Sequence, residues 1–432
     1  MKYNNRLAKA MALVAVVSLT ASACGSDDDA TPSTDAAADT EAPDTEAPDT
    51  AAPDTEAPDT EAPESDDSVA STEPAENLPG AGESFTVGVI LPLTGPAASI
   101  GADFEAGLKV FGEIDPTAAQ MDIEFVVCDD ETTPDGASSC ALRLSQQDNV
   151  DMIYGPVISG MHAGATPVLA GGPPSVTPSP YVSVEEGDPI FSAAGRASDL
   201  DRVTLEYAAE RGFERVALLA TTDTTGETAV QNIQAANEDL GLDIAIERMG
   251  PGDVDVSSQI NRLLETDPEY VYIGASGAAV GVALQGFSQA GSDLPTALIW
   301  SNTTKGFLDA AGPLMPTETL YGVAPSWLPE NIDDPERAQL IRDFQEAFEA
   351  EAGVPPSFVV QGAYDAFQLI AAALLNVGGD SEAIVEYIEG LTDFQGLNWL
   401  LSYSETNRLG SESGNYVMMR YDPDSGSWSL AD

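Results

Sequence analysis

Short runs of consecutive apolar residues recur along this chain, each closed by a turn rich in glycine, proline or hydroxyl side chains and followed by an amphipathic stretch. The first run is Phe85-Thr-Val-Gly-Val-Ile-Leu91, which ends in Pro92-Leu-Thr-Gly-Pro96 and precedes a helix-like segment from about Ser99 to Phe111. Asp122 to Val127 is the second. It enters a Cys128-Asp-Asp loop and a helix through Cys140, Leu142 and Leu144. Val150 to Tyr154 is the third, closed by Gly155-Pro156. A strand exposed on one face alternates apolar and polar residues, and these do not. Continuous apolar runs separated by helices indicate a parallel sheet covered on both faces.

The same order restarts after Ser198. A helix capped by Ser198 or Asp199 is expected to run to Arg211 and stop at Gly212. Strands follow at Arg215–Ala220, Ile244–Arg248, Tyr270–Gly274 and Thr296–Trp300, with helices at Thr228–Leu240, Ser257–Leu264 and Ala278–Ala290 between them. Asp334-Pro335 opens a long helix closed by Gly353, and another runs from about Phe358 to Val377. With 432 residues, too many for one ordinary core, the reading is α/β: two doubly wound parallel-sheet lobes.

The first 24 residues read as an export signal. Lys2, Arg6 and Lys9 precede a short apolar stretch from Ala10 to about Thr20, too short to cross a bilayer. Ala21-Ser22-Ala23 before Cys24 resembles a bacterial lipobox, which implies lipidation at Cys24 and tethering to the outer face of the cell membrane. Ordinary cleavage would instead leave a free thiol there. From Thr40 the pentapeptide TEAPD repeats with small variations, giving proline and acid in every unit and nothing that can form a core. Residues 25–84 are therefore expected to be a disordered acidic linker. As a coil, roughly 60 residues span about 45 Å.

The chain has 72 acidic and 16 basic residues, a single histidine and a net charge of −56. That balance excludes nucleic acid as a partner and leaves the lipid anchor as the only membrane contact. The acidic surface suits either a saline habitat or simple solubility. Cys128 and Cys140, in an exported chain, are expected to form a disulfide; closing about a dozen residues is worth about 3 kcal/mol.

Parallel sheets bind ligands beyond the carboxyl ends of their strands, and a crevice between two lobes is a common small-molecule site. The loops at those ends are rich in Gly, Ser and Thr, which offer uncharged donors at close approach.

Val87-Gly-Val-Ile-Leu-Pro-Leu-Thr-Gly-Pro96, Val150-Asp-Met-Ile-Tyr-Gly-Pro156 and Gln361-Gly-Ala-Tyr-Asp-Ala366 resemble the leucine/isoleucine/valine-binding type of periplasmic solute-binding protein, over essentially all of Phe85 to Asp432. The resemblance implies a type I periplasmic-binding fold with a three-stranded hinge, whose crossovers fall near residues 199, 325 and 412. The lobes would then comprise residues 85–199 with 326–412, and 200–325 with 413–432. It also implies hinged capture of a small solute, an amino acid, amide or short organic acid, by a monomeric protein that serves an ABC permease in the cytoplasmic membrane.

By the same resemblance, Ser159, Gly160, Ser179, Pro180 and Tyr181 correspond to positions that hold a ligand carboxylate. Ser276 and Asn302 correspond to positions that hold an ammonium, and Ile100 and Thr225 to the cleft lining. Pro180 lacks an N–H, and Asn302 stands where a carboxylate is usual, so amino-acid specificity does not carry over with the fold. On this alignment an Asn302→Asp substitution is expected to favour ammonium-bearing ligands. An alignment slip of a few residues would instead bring Asp309 into play.

An enzyme is the rival class. Gly410-Ser-Glu-Ser-Gly414 matches a nucleophile-elbow string, but no histidine follows it. The single His162 excludes a multi-histidine metal centre; it either faces the cleft or is a surface or satisfied side chain. Asp129-Asp130-Glu131 is a solvated loop or, less in keeping with its spacing, a calcium site. No cofactor motif is present. A sensor that binds the same solute is not distinguished from a transporter by the chain itself.

Overall fold

The structure is a computed structural model that describes residues 78–180, 182, 184–411 and 416–431. The export segment, Cys24, most of the acidic linker, Tyr181, the third crossover near 412 and part of the 410–414 string lie outside the described residues.

In the first lobe, strands and helices alternate: β1 (Ser84–Leu91), α1 (Ala98–Ile114), β2 (Asp122–Asp129), α2 (Pro134–Arg143), β3 (Met152–Tyr154), α3 (His162–Leu169), β4 (Ser175–Thr177) and β5 (Ile190–Ser192). The strands form one sheet in the order β2-β1-β3-β4-β5, and all of its pairings are parallel. Val87, Val89, Ile90 and Leu91 of β1, an interior strand, are fully buried, as a sheet covered on both faces requires.

The second lobe repeats the plan with α4 (Ala197–Glu210), β6 (Arg215–Thr221), α5 (Thr224–Leu240), β7 (Asp243–Met249), α6 (Ser257–Leu264), β8 (Tyr270–Gly274), α7 (Ala278–Gln289), β9 (Thr296–Leu298), α8 (Lys305–Ala311) and β10 (Thr319–Val323). The chain continues through α9 (Pro335–Ala352), α10 (Phe358–Val377) and α11 (Ser381–Glu389), then the short β11 (Phe394–Gln395) and β12 (Leu400–Leu401). It ends in the hairpin β13 (Val417–Asp422) and β14 (Ser427–Leu430). The second sheet runs β14-β13-β10-β9-β8-β6-β7. Its five parallel strands repeat the order of the first lobe, and β13 and β14 extend the edge antiparallel. Sequence reading located neither β10 nor this hairpin.

α10 is apolar and long enough to span a bilayer, yet 89% of its apolar window is buried inside the protein. It packs against α1, β3 and β4, and is a core helix of the first lobe.

Two helix starts differ from the sequence expectation. α4 begins at Ala197, with Arg196 at the N-cap position and no side-chain cap. Its start is fixed by tertiary structure instead: the Arg196 N–H donates to the Tyr416 hydroxyl at 3.0 Å. α5 begins four residues earlier than expected, capped by Asp223, whose carboxylate accepts from Gly226 N at 3.1 Å. Gly226 is there because a Cβ would lie 2.1 Å from the Thr221 carbonyl oxygen. The start of α1 has the same close approach, with Gly101 against the Pro92 carbonyl. A glycine at these places lets the helix start sit directly on the end of the preceding strand.

Candidate functional site

In the first lobe, the loops after β3 and β4 bring Ser159 and Ser179 together, with their hydroxyl oxygens 2.8 Å apart. Ser179 is buried and Ser159 half-buried. A polar layer supports the pair from beneath. Ser192 Oγ donates to the Ser179 carbonyl at 2.9 Å. Thr177 Oγ1 donates to the Pro156 carbonyl at 2.7 Å and accepts from Ser179 N at 3.1 Å.

His162 lies in this layer, 4% exposed, with Nε2 3.2 Å from Thr177 Oγ1. The single Thr177 proton is committed to Pro156, so the proton in this contact belongs to Nε2. Nδ1 is then a buried acceptor with no partner among the described residues. Burial pushes the imidazole down to about 4, and it is neutral near pH 7. His162 is therefore not a surface residue, and only half of its hydrogen-bonding capacity is used.

The second lobe has a matching pair. Ser276 follows β8 and Ser301 follows β9, and their hydroxyl oxygens lie 2.6 Å apart. Asn302 beside them is buried and fully engaged. Its Nδ2 donates to the carbonyls of Ala275 and Ile299, both at 3.0 Å. Its Oδ1 accepts from Gly277 N at 2.8 Å. Asn302 thus ties the ends of β8 and β9 together, with both amide protons committed to backbone. Thr225, half-buried, lies in the first turn of α5. Ile100 is 9% exposed and belongs to the apolar core. Gly160 has open space around it.

The lobes meet at several points around these loops. α5 contacts the turn at Ser159–Met161. A Cβ at Gly306 would lie 3.8 Å from that of Ser99. Phe358 N, at the start of α10, donates to Thr303 Oγ1 at 3.2 Å. A cavity of about 320 Å³ lies between Pro180 and the segment Ala194–Ser198 on one side and Thr228 and Asn232 of α5 on the other. Burial raises the Asp103 carboxyl to about 6 against the opposing hydrogen bond from Ser357, the residue before Phe358. Ser301, Thr303 and Asp103 were not singled out from sequence, because only folding brings their segments side by side.

The other candidates have structural explanations. Cys128 and Cys140 form a disulfide, with Cα atoms 5.6 Å apart, joining β2 to α2. The Asp129 carboxylate accepts from the backbone N–H groups of Leu93, Thr94 and Glu131 and from the Thr94 hydroxyl. Those bonds latch the loop after β1, and no group of three metal-ligating side chains occurs among the described residues. Asp309 is paired with Lys305 at 2.6 Å. Gly410 and Ser411 form isolated bridges, not a strand-to-helix turn.

Two tandem parallel-sheet lobes, each with a pair of serine hydroxyls at its strand ends, define a two-lobed solute-binding protein of type I. The periplasmic binding protein family matches residues 84–424, and the chain belongs to that family. Among curated relatives, the "Leu/Ile/Val-binding protein homolog 3" of Brucella melitensis is 25% identical over 76% of this chain and 89% of its own. The "Leucine-, isoleucine-, valine-, threonine-, and alanine-binding protein" of Pseudomonas aeruginosa is 27% identical over 72% and 84%. An extracellular ligand-binding receptor from Rhodopseudomonas palustris superposes with a TM-score of 0.73 at 20% identity, covering 81% of this chain and all of that one. A leucine binding protein from Thermotoga maritima superposes at 0.70 with 19% identity, covering 81% and 98%. This chain is a periplasmic-type binding protein for a small molecule.

Proposed function

We propose that the protein is the lipid-anchored, extracytoplasmic capture subunit of an ABC importer, and that it closes over an amide or short organic acid. The observation that carries this reading is the pair of serine couples, Ser159–Ser179 and Ser276–Ser301, one at the strand ends of each lobe. They offer hydroxyl donors and acceptors without formal charge, which suits a carboxylate or amide. The relatives' branched-chain amino acids are the neighbouring possibility. Asn302 weighs against them, because the position expected to hold an ammonium is committed to backbone. A buried ammonium without a counter-charge costs several kcal/mol. The segments near 199, 325 and 412 serve as the hinge, and the acidic repeat spaces the lobes from the membrane.

A thermal-shift panel of amino acids, amides, short-chain acids and aromatic acids tests the reading. A true ligand at 100 times its dissociation constant adds about 2.7 kcal/mol. That gain is expected to fall in a Ser159→Ala/Ser276→Ala double variant. Stabilisation by branched-chain amino acids alone would overturn the ligand class, and indifference to the whole panel would overturn small-solute capture. Loss of membrane association in a Cys24→Ala variant tests the anchor.

A further inference from the structure

Beyond β10 the chain leaves the second sheet for α9, which packs on α1 of the first lobe. Ser326 lies in that crossing and is fully buried. Its hydroxyl donates to Asn398 Oδ1 at 2.8 Å, and its carbonyl accepts from Gln361 Nε2 at 2.8 Å. Asn398 is held on its other side as well: its Nδ2 donates to the Gln361 carbonyl at 2.7 Å and to Asp365 Oδ1 at 2.9 Å. Gln361 and Asp365, one turn apart on α10, thus tie the crossing to the core helix of the first lobe.

Asp365 is also fully buried, and donors surround both of its oxygens. Both accept from Asn398 N at 3.0 Å, and Oδ2 accepts from Trp399 N at 2.7 Å. All of its hydrogen-bond partners among the described residues are N–H groups. Such a site is matched to a carboxylate and mismatched to a carboxylic acid, because a proton on either oxygen meets an N–H and one donor has to leave. A proton on Oδ1 displaces the Asn398 amide, and one on Oδ2 displaces Trp399 N. Either way the residue that accepts from Ser326 moves. Burial nevertheless raises the carboxyl to about 7, against the bonds from Trp399 and Asn398 and the charge of Arg337. The charged and titratable groups that face it are Arg337, with Asp334 beyond, and the phenols of Tyr364 and Tyr403. Tyr364 donates to Asp115 and Tyr403 to the Ser192 carbonyl, both at 2.9 Å. Burial pushes both phenols up, so neither loses its proton near pH 7.

We infer that Asp365 is a positioning residue for solute capture: its carboxylate holds Asn398 where it anchors Ser326, and protonation releases the crossing and favours separation of the lobes. This rests on the hinged capture proposed above, with the segment near 325 as one strand of the hinge. The protein then holds its solute at neutral to alkaline pH and lets go as the medium acidifies. Fold stability runs the other way, because the folded state binds this proton more tightly than the unfolded chain. A carboxyl with a structural role alone would change stability and leave the crossing in place.

The test uses the full chain labelled with ¹⁵N at its tryptophan indoles, without solute, titrated from about pH 8.5 to about pH 5.5. Resonances are assigned by their disappearance in Trp300→Phe, Trp327→Phe and Trp399→Phe. Trp399 bonds Asp365 through its backbone, Trp327 follows Ser326, and Trp300 of the second lobe packs edge-on against Phe358 of the first at 5.8 Å. All three are expected to shift with one midpoint near 7. In Asp365→Asn they are expected to sit at their acid positions throughout. Ser326→Ala leaves the donors around Asp365 intact and guards against misfolding of the first variant. There Trp399 is expected to keep its step while Trp327 and Trp300 lose theirs. Flat Trp327 and Trp300 resonances overturn the inference, as does a step at either that survives Asp365→Asn or Ser326→Ala. A surviving step near 6 would belong to Asp103, the carboxyl bonded by Ser357. Because no solute is added, these failures leave small-solute capture to be decided by the thermal-shift panel.

Discussion

Thr303 of the second lobe accepts the N–H of Phe358, the first helical residue of α10 in the first lobe, at 3.2 Å. A helix leaves its first four N–H groups without intrahelical partners, and one of them is served here from across the gap. If the lobes separate, the bond breaks. Under the hinged capture proposed above, the contact belongs to the closed arrangement, and its loss favours opening. A Thr303→Val variant is expected to bind solute about 2- to 10-fold more weakly, the equivalent of one hydrogen bond of 0.5–1.5 kcal/mol. Calorimetric titration gives the affinity, and small-angle scattering of the unliganded protein should show a larger radius of gyration. Unchanged affinity would mean the bond is equally available in the open form.

Asn302 gives a prediction opposite in sign to the one its sequence position suggests. Its Nδ2 donates to two backbone carbonyls. In Asn302→Asp a carboxylate oxygen would face both carbonyls with no proton between them. The variant is expected to lose about 1–3 kcal/mol of stability and to gain nothing for ammonium-bearing ligands. Denaturant unfolding of both proteins, with a calorimetric titration of leucine, checks both parts.

His162 should make the protein sensitive to mild acid. Its folded pKa is held down to about 4 by burial, below the ordinary 6.5. The unfolded chain therefore binds the proton first, and stability falls as pH drops from about 6.5 toward 4. Relative to the wild type, His162→Gln is expected to gain about 2 kcal/mol between pH 7.5 and pH 5. Asp365 acts in the opposite direction. Burial, opposed by bonds from Trp399 and Asn398, holds its carboxyl at about 7, so the folded state keeps a proton that the unfolded state has lost. That stabilising contribution is present below about pH 4 and fades as pH rises to 7. Unfolding curves of each variant across this range separate the two effects.

The four tryptophans should report closure. Trp300, Trp327 and Trp399 each lie within 6.1 Å of the Phe358 ring, and Trp428 is 5.6 Å from Trp327. Trp300 belongs to the second lobe and Phe358 to the first, so a hinge motion changes packing within one connected aromatic group. Ligand addition is expected to shift the emission maximum, and the shift should shrink in Phe358→Leu. Emission that ignores a ligand already shown to bind would indicate a gap that closes without moving this group.

With 72 acidic and 16 basic residues, the protein repels itself at low ionic strength. Its melting temperature is expected to rise as salt increases from millimolar to molar, because screening removes that repulsion. Thermal melts in a potassium chloride series check this, and a flat series would leave solubility as the surface's only role.

The two-lobed α/β plan was legible because local rules encode it. Continuous apolar runs such as Phe85–Leu91 and Tyr270–Gly274 can only be satisfied inside a covered sheet, and glycines 241 and 353 stop helices by adopting positive φ. The Cys128–Cys140 pairing followed from compartment and spacing. The edge hairpin was not legible. In β13, Val417 and Arg420 are half-buried between buried Met418, Met419 and Tyr421, a mixed pattern that pairs with β10 only after the chain has returned from the first lobe. Local sequence put the α4 cap at Ser198 or Asp199. The Tyr416 hydroxyl, more than two hundred residues away, fixes the start at Ala197 instead.

The candidate site divides along the same line. Residue types and strand order alone determined that uncharged, hydroxyl-rich loops would stand at the carboxyl ends of two parallel sheets. They could not determine which hydroxyls pair, or that Asn302 would be consumed in joining β8 to β9. Those outcomes depend on which backbone groups have already found partners. That is settled by long-range packing, because a side chain's hydrogen bonds are fixed by its neighbours in space and not by its neighbours in sequence.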